Sequence, residues 1–188
     1  MSLEFNRRSF LKYSAAAAVA VAGSSLLVGC GEDEYQKTGK IGSTLKLMGA
    51  FKLEAAKLDS APTTTEADKT LTCNFSLKCT SKYGLNIVPA NFQVEVTSKA
   101  TKKVTTYHAY NTDGTGGVSL SNSNNYLKKD ESLDTVLKVT NIKVADGDTI
   151  KVKFWPRPQA SEGSQAYTRA FCTWSRTVDS ATATTYLK

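Results

Sequence analysis

The sequence predicts an all-β domain, an antiparallel β-sandwich, preceded by an export signal and a polar tether. Two observations carry the fold. Strict apolar–polar alternation recurs in several short runs, and turns rich in glycine, asparagine and aspartate separate those runs. A third observation bounds the size: of 188 residues, about 145 lie beyond the signal and tether, which suits one domain with a sizeable core.

The chain opens with Asn6-Arg7-Arg8-Ser9-Phe10-Leu11-Lys12 and turns apolar from Ser14 to Val28. That order is a signal peptide's, assigned to residues 1–29. The apolar stretch is about fifteen residues and alanine-rich, whereas a helix crossing a ~30 Å hydrocarbon core needs roughly 20 strongly apolar residues, so a permanent span is not expected. The string Arg7, Arg8, Ser9, Phe10, Leu11, Lys12 resembles the twin-arginine translocation motif at every position but the first, where Asn6 replaces the usual Ser or Thr. The resemblance implies transit, already folded, through the twin-arginine translocase.

Directly after the apolar run, Leu26-Leu27-Val28-Gly29-Cys30-Gly31 looks like a bacterial lipobox. The resemblance implies that lipoprotein-processing enzymes attach a diacylglyceryl group to the Cys30 thiol and cut before it. Each buried methylene contributes ~0.8 kcal/mol, so one acyl chain binds marginally and two anchor stably. The expected location is extracytoplasmic, lipid-anchored to a membrane. Gly31 is not aspartate, so the family's inner-membrane retention signal is absent and an outer membrane, where there is one, stays open.

Removing residues 1–29 takes away three basic residues and one acidic one, which lowers the formal charge from +7 to +5. No Lys/Arg cluster with interleaved aromatics remains, so the positive balance reads as a solvated surface or an attraction to anionic envelope polymers, with no nucleic-acid partner.

Residues 31–40, Gly-Glu-Asp-Glu-Tyr-Gln-Lys-Thr-Gly-Lys, show no apolar periodicity and read as a tether. The domain is expected over 41–188. A first strand is read at Thr44 to Met48, and Phe51, Ala55 and Leu58 at helical spacing suggest a short helix from Phe51 to Leu58. The clearest strand is Leu71-Thr72-Cys73-Asn74-Phe75-Ser76-Leu77-Lys78-Cys79-Thr80, apolar at every odd position and polar at every even one. The same period of two recurs at Phe92, Val94 and Val96, and at Ile150, Val152 and Phe154, with Lys151 and Lys153 facing the other way. Turn chemistry marks 111–117, Ser121 to Asn125, and Asp146-Gly147-Asp148.

Three segments together, Leu71 to Thr80, Ile87-Val88-Pro89-Ala90-Asn91-Phe92-Gln93-Val94, and Leu127-Lys128-Lys129-Asp130-Glu131-Ser132-Leu133, look like the immunoglobulin-like domain of many bacterial lipoproteins of unknown function. The resemblance covers roughly residues 65–155 and implies an immunoglobulin-like sandwich. Where that family tends to carry Asn-Gly and Pro-Gly-Glu, this chain has Ser81-Lys82-Tyr83-Gly84 and Lys129-Asp130-Glu131. The family supplies no inherited activity.

With Cys30 lipidated, Cys73, Cys79 and Cys172 remain. Cys73 and Cys79 share a strand face, but six residues at ~3.3 Å each set them roughly 20 Å apart, beyond the ~7 Å Cα limit of a disulfide. Either one of them pairs with Cys172, like the inter-sheet bridge of antibody domains, or all three stay reduced in the core. The antibody pattern is incomplete, because Ala170 stands at the corner-tyrosine position and Trp174 follows the second cysteine. Export of a folded chain makes any bridge a later addition.

Absences limit the chemistry. The one histidine, His108, excludes blue-copper sites and zinc sites that need two or more histidines; it reads as a strand residue at a sheet surface or edge. There is no Gly-x-Ser-x-Gly elbow, and the loop from Asn111 lacks the ligand order of a calcium hand. Glu131/Asp134 and Asp146/Asp148 read as turn and strand-end carboxylates. No catalytic residue, metal or cofactor is expected. The candidate ligand contacts are Trp155 and Arg157, at the end of the Ile150 strand, with Tyr107, Tyr110 and Tyr126 near the glycine-rich loops, since such rings combine an apolar face with a polar edge. The reading from sequence is a non-enzymatic, lipid-anchored module that binds an envelope protein or glycan. Its alternatives are an envelope enzyme or accessory subunit, signalled by a cleft lined with two or more carboxylates, and a passive envelope component whose aromatic tip is engaged in its own core.

Overall fold

In the computed structural model, residues 35–60, 69–109, 117–122, 125–156, 170–179 and 184–187 are described. The strands among them are β1 (Gln36–Lys40), β2 (Thr44–Lys46), β3 (Ala50–Ser60), β4 (Lys69–Lys78), β5 (Leu85–Ile87), β6 (Phe92–Thr97), β7 (Val104–Tyr107), β8 (Val118–Leu120), β9 (Asn125–Leu127), β10 (Ser132–Ile142), β11 (Thr149–Phe154), β12 (Phe171–Thr177) and β13 (Thr184–Leu187), with a 3-10 turn at Pro89–Asn91. They make a β-sandwich. One sheet runs β1-β12-β11-β6-β7 and the other β13-β3-β4-β10-β8, with β2 added to β3. A separate two-stranded sheet joins β5 to β9. Every pairing is antiparallel except that of β1 with β12.

The alternation read from the sequence becomes the sandwich core. In β4, Leu71, Cys73, Phe75 and Leu77 are buried; β6 contributes Phe92, Val94 and Val96, and β11 Ile150, Val152 and Phe154. Phe75 joins the two sheets, its ring centroid 5.0 Å from Phe92 and 4.9 Å from Phe154. Trp174 of β12 is fully buried and its indole N–H donates to the Ser43 carbonyl at 2.9 Å.

Two expectations are corrected. The segment Phe51 to Leu58 is strand, the middle of β3. Its partner register on β4 slips by one residue between Leu53 and Ala56, so a β-bulge at Glu54 and Ala55 puts two residues where one would sit. Phe51, Leu53, Ala56 and Leu58 all point inward, and the broken alternation imitates a helical spacing. Ala55, read as part of an apolar helix face, is exposed. The second correction concerns the tether, whose last five residues, Gln36–Lys40, form β1 alongside β12. This strand carries no apolar side chain, and what seats it is the backbone ladder.

Candidate functional site

Of the predicted aromatic contacts, Trp155 lies just beyond β11 and is half-buried. Its ring centroid is 5.7 Å from that of Phe171 on β12. Its main chain is held by Asn91: the Trp155 N–H donates to the Asn91 carbonyl at 2.8 Å, and the Asn91 side-chain amide donates to the Trp155 carbonyl at 2.7 Å. The same Asn91 accepts the Val88 N–H through Oδ1 at 2.7 Å, so this fully buried side chain is satisfied on both faces. Tyr126, in β9, is 60% exposed and its hydroxyl donates to the Tyr83 carbonyl at 3.3 Å. Tyr107 is a correction: its ring is buried in the core and its hydroxyl accepts the Lys143 N–H at 2.9 Å, so no surface ligand reaches it. Tyr110 and Arg157 lie outside the described residues, as do Cys30 and the residues of the export motif.

The topology gathers the aromatic residues at one end. Phe92 is registered on Phe154, Phe154 on Cys172, and Gln36 on Phe171. The C-terminal end of β11 and the N-terminal ends of β6, β12 and β1 therefore coincide, and the Tyr35 carbonyl accepts the Phe171 N–H at 2.8 Å. β4 leads through β5 and the 3-10 turn into β6, which brings Tyr83 and Tyr126 to the same end through the β5–β9 pair. Gly84 permits this close approach: its φ is +69°, and any β-carbon there would overlap the Tyr126 hydroxyl and the Leu127 carbonyl.

A second feature lies on the outward face of the sheet containing β3, β4 and β10. Beside the β3 bulge is a groove of about 250 Å³ lined by Glu54, Asn74, Ser76, Ser121, Asp134 and Thr135, among others. Ser76 is registered between Lys52 and Asp134, and Asn74 opposite Val136. Glu54 is paired with Lys52 at 3.2 Å. Ser121 Oγ accepts the Val136 N–H at 3.0 Å and stands 3.2 Å from Thr135 Oγ1. The groove thus offers carboxylate acceptors, an amide that both donates and accepts, and hydroxyls. Another groove, of about 290 Å³ and lined by Lys40, Thr149 and Arg176, has its arginine paired with Asp179 at 3.2 Å.

The carboxylates read as turn residues separate here. Glu131 accepts the Lys128 N–H at 2.7 Å, and buried Asp148 accepts the N–H groups of Lys99 and Ala145, both at 2.9 Å. Both are structural. Asp134 lies in β10 and lines the groove. His108 is exposed just after β7, its carbonyl accepting the Val118 N–H at 3.0 Å. Among the described residues no cluster of three metal-ligating side chains occurs.

Cys73, Cys79 and Cys172 are all free and buried, so the bridge from Cys172 to Cys79 or Cys73 is not present. Cys73 sits on β4 at the centre of one sheet, and Cys172 on β12 beside the edge strand of the other. Burial pushes the thiols of Cys73 and Cys172 up to about 12, the latter against a small opposing pull from Lys37. They fill the core as small apolar side chains.

Residues 4–24 match the family of TAT (twin-arginine translocation) pathway signal sequences. The chain therefore carries a twin-arginine export signal, and the protein is sent across the cytoplasmic membrane to an extracytoplasmic location. No curated protein matches it in sequence. Two crystal structures of Bacillus subtilis proteins resemble it. One is ycdA of strain 168, described as a candidate lipoprotein, with a TM-score of 0.44 and 15% identity over 74% of this chain and 39% of that one. The other is the yjhA protein, with a TM-score of 0.45 and 11% identity over 74% of this chain and 99% of that one. This chain thus spans well under half the length of ycdA.

Proposed function

We propose that this is a lipid-anchored, non-enzymatic binding module of the cell envelope with an immunoglobulin-like sandwich, and that its ligand is an envelope glycan seated in the groove beside the β3 bulge. The strand orders support the immunoglobulin-like assignment. β3-β4-β10-β8 corresponds to the A-B-E-D sheet, β12-β11-β6-β7 to G-F-C-C′, and β1 to a parallel edge strand on G. The lipobox-like run ending in Cys30 supports anchoring.

The observation that carries the ligand assignment is the set of side chains in the groove. Glu54, Asn74, Ser76 and Asp134, from three adjacent strands, line one concavity. A rigid sheet holds them in place, which reduces the ordering cost of binding. A ligand dense in hydroxyl or amine groups satisfies that set; an apolar one does not. The aromatic end, with Trp155 and Tyr126, offers a second contact surface of different chemistry.

The test is retention of envelope polysaccharide fragments on immobilised protein spanning residues 30–188, washed at low and then high salt. Wild type is expected to hold a glycan that survives high salt, and an Asn74→Ala/Asp134→Ala double variant to lose it. Capture that disappears with salt in both proteins reduces the binding to charge attraction and overturns the reading.

A second reading, a glycan-cleaving enzyme, is favoured by one observation, the presence of Glu54 and Asp134 in the same groove. It requires wild-type protein to release new reducing ends from the retained glycan over time, and Asp134→Asn to stop that release.

A further inference from the structure

We infer that the aromatic end of the sandwich is a membrane-docking surface, and that its partner is the interfacial layer of the same bilayer to which Cys30 is attached. The inference rests on the lipid anchor proposed above and adds to it a fixed orientation of the domain.

Three of the four exposed large apolar side chains among the described residues are Tyr35, Tyr83 and Tyr126, at 42%, 64% and 60% exposure. All three lie at the end where β1 begins, the end that also holds half-buried Trp155 and Phe171. The fourth, Val104, starts β7 at the opposite end. Tyrosine and tryptophan, with an apolar body and a polar edge, are the residues that settle at a membrane–water interface. The Lys82 ammonium lies over the Tyr83 ring, 4.8 Å from its centroid, and the long apolar stem of a lysine lets such a charge reach the headgroup layer while the ring settles below it.

The length of chain between anchor and domain supplies an independent argument. Cys30 and Tyr35 are five residues apart, a span of at most ~17 Å even when fully extended. A strand the length of β3, eleven residues, runs ~35 Å. The far end of the sandwich is therefore about twice the tether's reach from the bilayer in any upright pose, whereas the tyrosine-bearing end lies within it. Laying the domain flat would instead press polar outward faces, such as the Lys153–Glu95 pair at 2.6 Å, against the lipid.

Charge is not the attraction. Lys46, Lys78, Lys82, Lys128 and Lys129 at this end are matched in number by Asp130 and Glu131 together with Glu32, Asp33 and Glu34 of the tether sequence. Docking is accordingly expected on zwitterionic phosphatidylcholine as well as on phosphatidylglycerol.

The chain has two tryptophans, and the second, Trp174, is fully buried, so quenching of tryptophan emission by brominated acyl chains reports on Trp155. Two preparations separate the docking from the anchor. One is protein extracted from membranes, with mass spectrometry of the N-terminal peptide showing whether Cys30 carries lipid, reconstituted into brominated phosphatidylcholine vesicles. The other is signal-free protein coupled through Cys30 to a maleimide phospholipid in the same vesicles, a selective reaction because Cys73, Cys79 and Cys172 are buried.

Docking predicts loss of most of the Trp155 emission in the coupled protein, no such loss in the Trp155→Phe variant, and weaker quenching in Tyr83→Ser/Tyr126→Ser. Unchanged emission in the coupled protein overturns the inference, whatever the state of native Cys30. Quenching in the coupled protein together with an unmodified native Cys30 upholds the docking surface and removes the anchor reading alone.

Discussion

Asn91 grips the main chain of Trp155 at two points, accepting its N–H with a backbone carbonyl and donating to its carbonyl from the side-chain amide, across 64 positions of sequence. The indole that ends β11 is thus fixed by a residue of the 3-10 turn that precedes β6. The ring itself packs at a tilt against Phe171, centroids 5.7 Å apart, from a main chain held by those two bonds.

Replacing Asn91 with Ala leaves the Val88 N–H and the Trp155 carbonyl without their partner. The expected cost is about 1–3 kcal/mol in a urea titration. The remaining bond from the Trp155 N–H is kept, so the variant folds, and a red-shifted Trp155 emission is expected before global unfolding begins. Coincidence of the two transitions would mean that Asn91 does not position the ring.

Asp148 ties two loops together through the N–H groups of Lys99 and Ala145. An Asp148→Ala variant strands both donors in a mostly buried site, and a loss of about 1–3 kcal/mol is expected. Asp148→Asn, with one acceptor oxygen, should fall between the variant and wild type in a thermal melt.

The three buried cysteines are expected to resist thiol reagents at pH 8 in the native state and to react quantitatively in denaturant. Reducing agent should leave the melting temperature unchanged, and a clear drop would reveal a bridge. The pH dependence has a definite sign. The folded value of Cys73, about 12, lies above its ordinary 9.0, so the unfolded chain releases this proton first as pH rises. The stabilisation is complete below about 9 and is lost between there and about 12, which should appear as a falling urea midpoint over that window.

Deleting Ala55 removes the extra residue of the β3 bulge and brings Leu53, Glu54 and Ala56 into plain alternation. Every side chain that lines the groove is retained. Cooperative unfolding should persist, while glycan retention should fall to the level of the Asn74→Ala/Asp134→Ala protein. Full retention would show that the bulge does not shape the site.

These elements differ in how far a reader of the sequence could have seen them. β4 and β11 were legible because one side of each is core and the other is water, so alternation records the pleat. β3 was not, since its bulge shifts the phase midway and turns Phe51 and Leu58 into what looks like one helical face. β1 left no trace, because a parallel edge strand of Gln-Lys-Thr-Gly-Lys contributes hydrogen bonds and almost no buried side chain. Trp155 was visible as an aromatic at a strand end, whereas Tyr107 looked equivalent and proved to be core, its hydroxyl meeting the N–H of Lys143 just beyond β10. The groove was hidden for a related reason. Glu54, Asn74 and Asp134 are ordinary outward residues on three separate strands, and only the pairing register brings them together.

The parallel pairing of β1 with β12 bears on how the domain meets mechanical load. A pull applied through the N-terminus runs along β1, lengthwise to its ladder from Gln36↔Phe171 to Lys40↔Ser175. Rupture by such a pull has to break those bonds together in shear, whereas peeling an antiparallel hairpin opens one rung at a time. A sandwich held at that terminus and pulled from its other end would meet the load first through five residues that carry no apolar side chain at all.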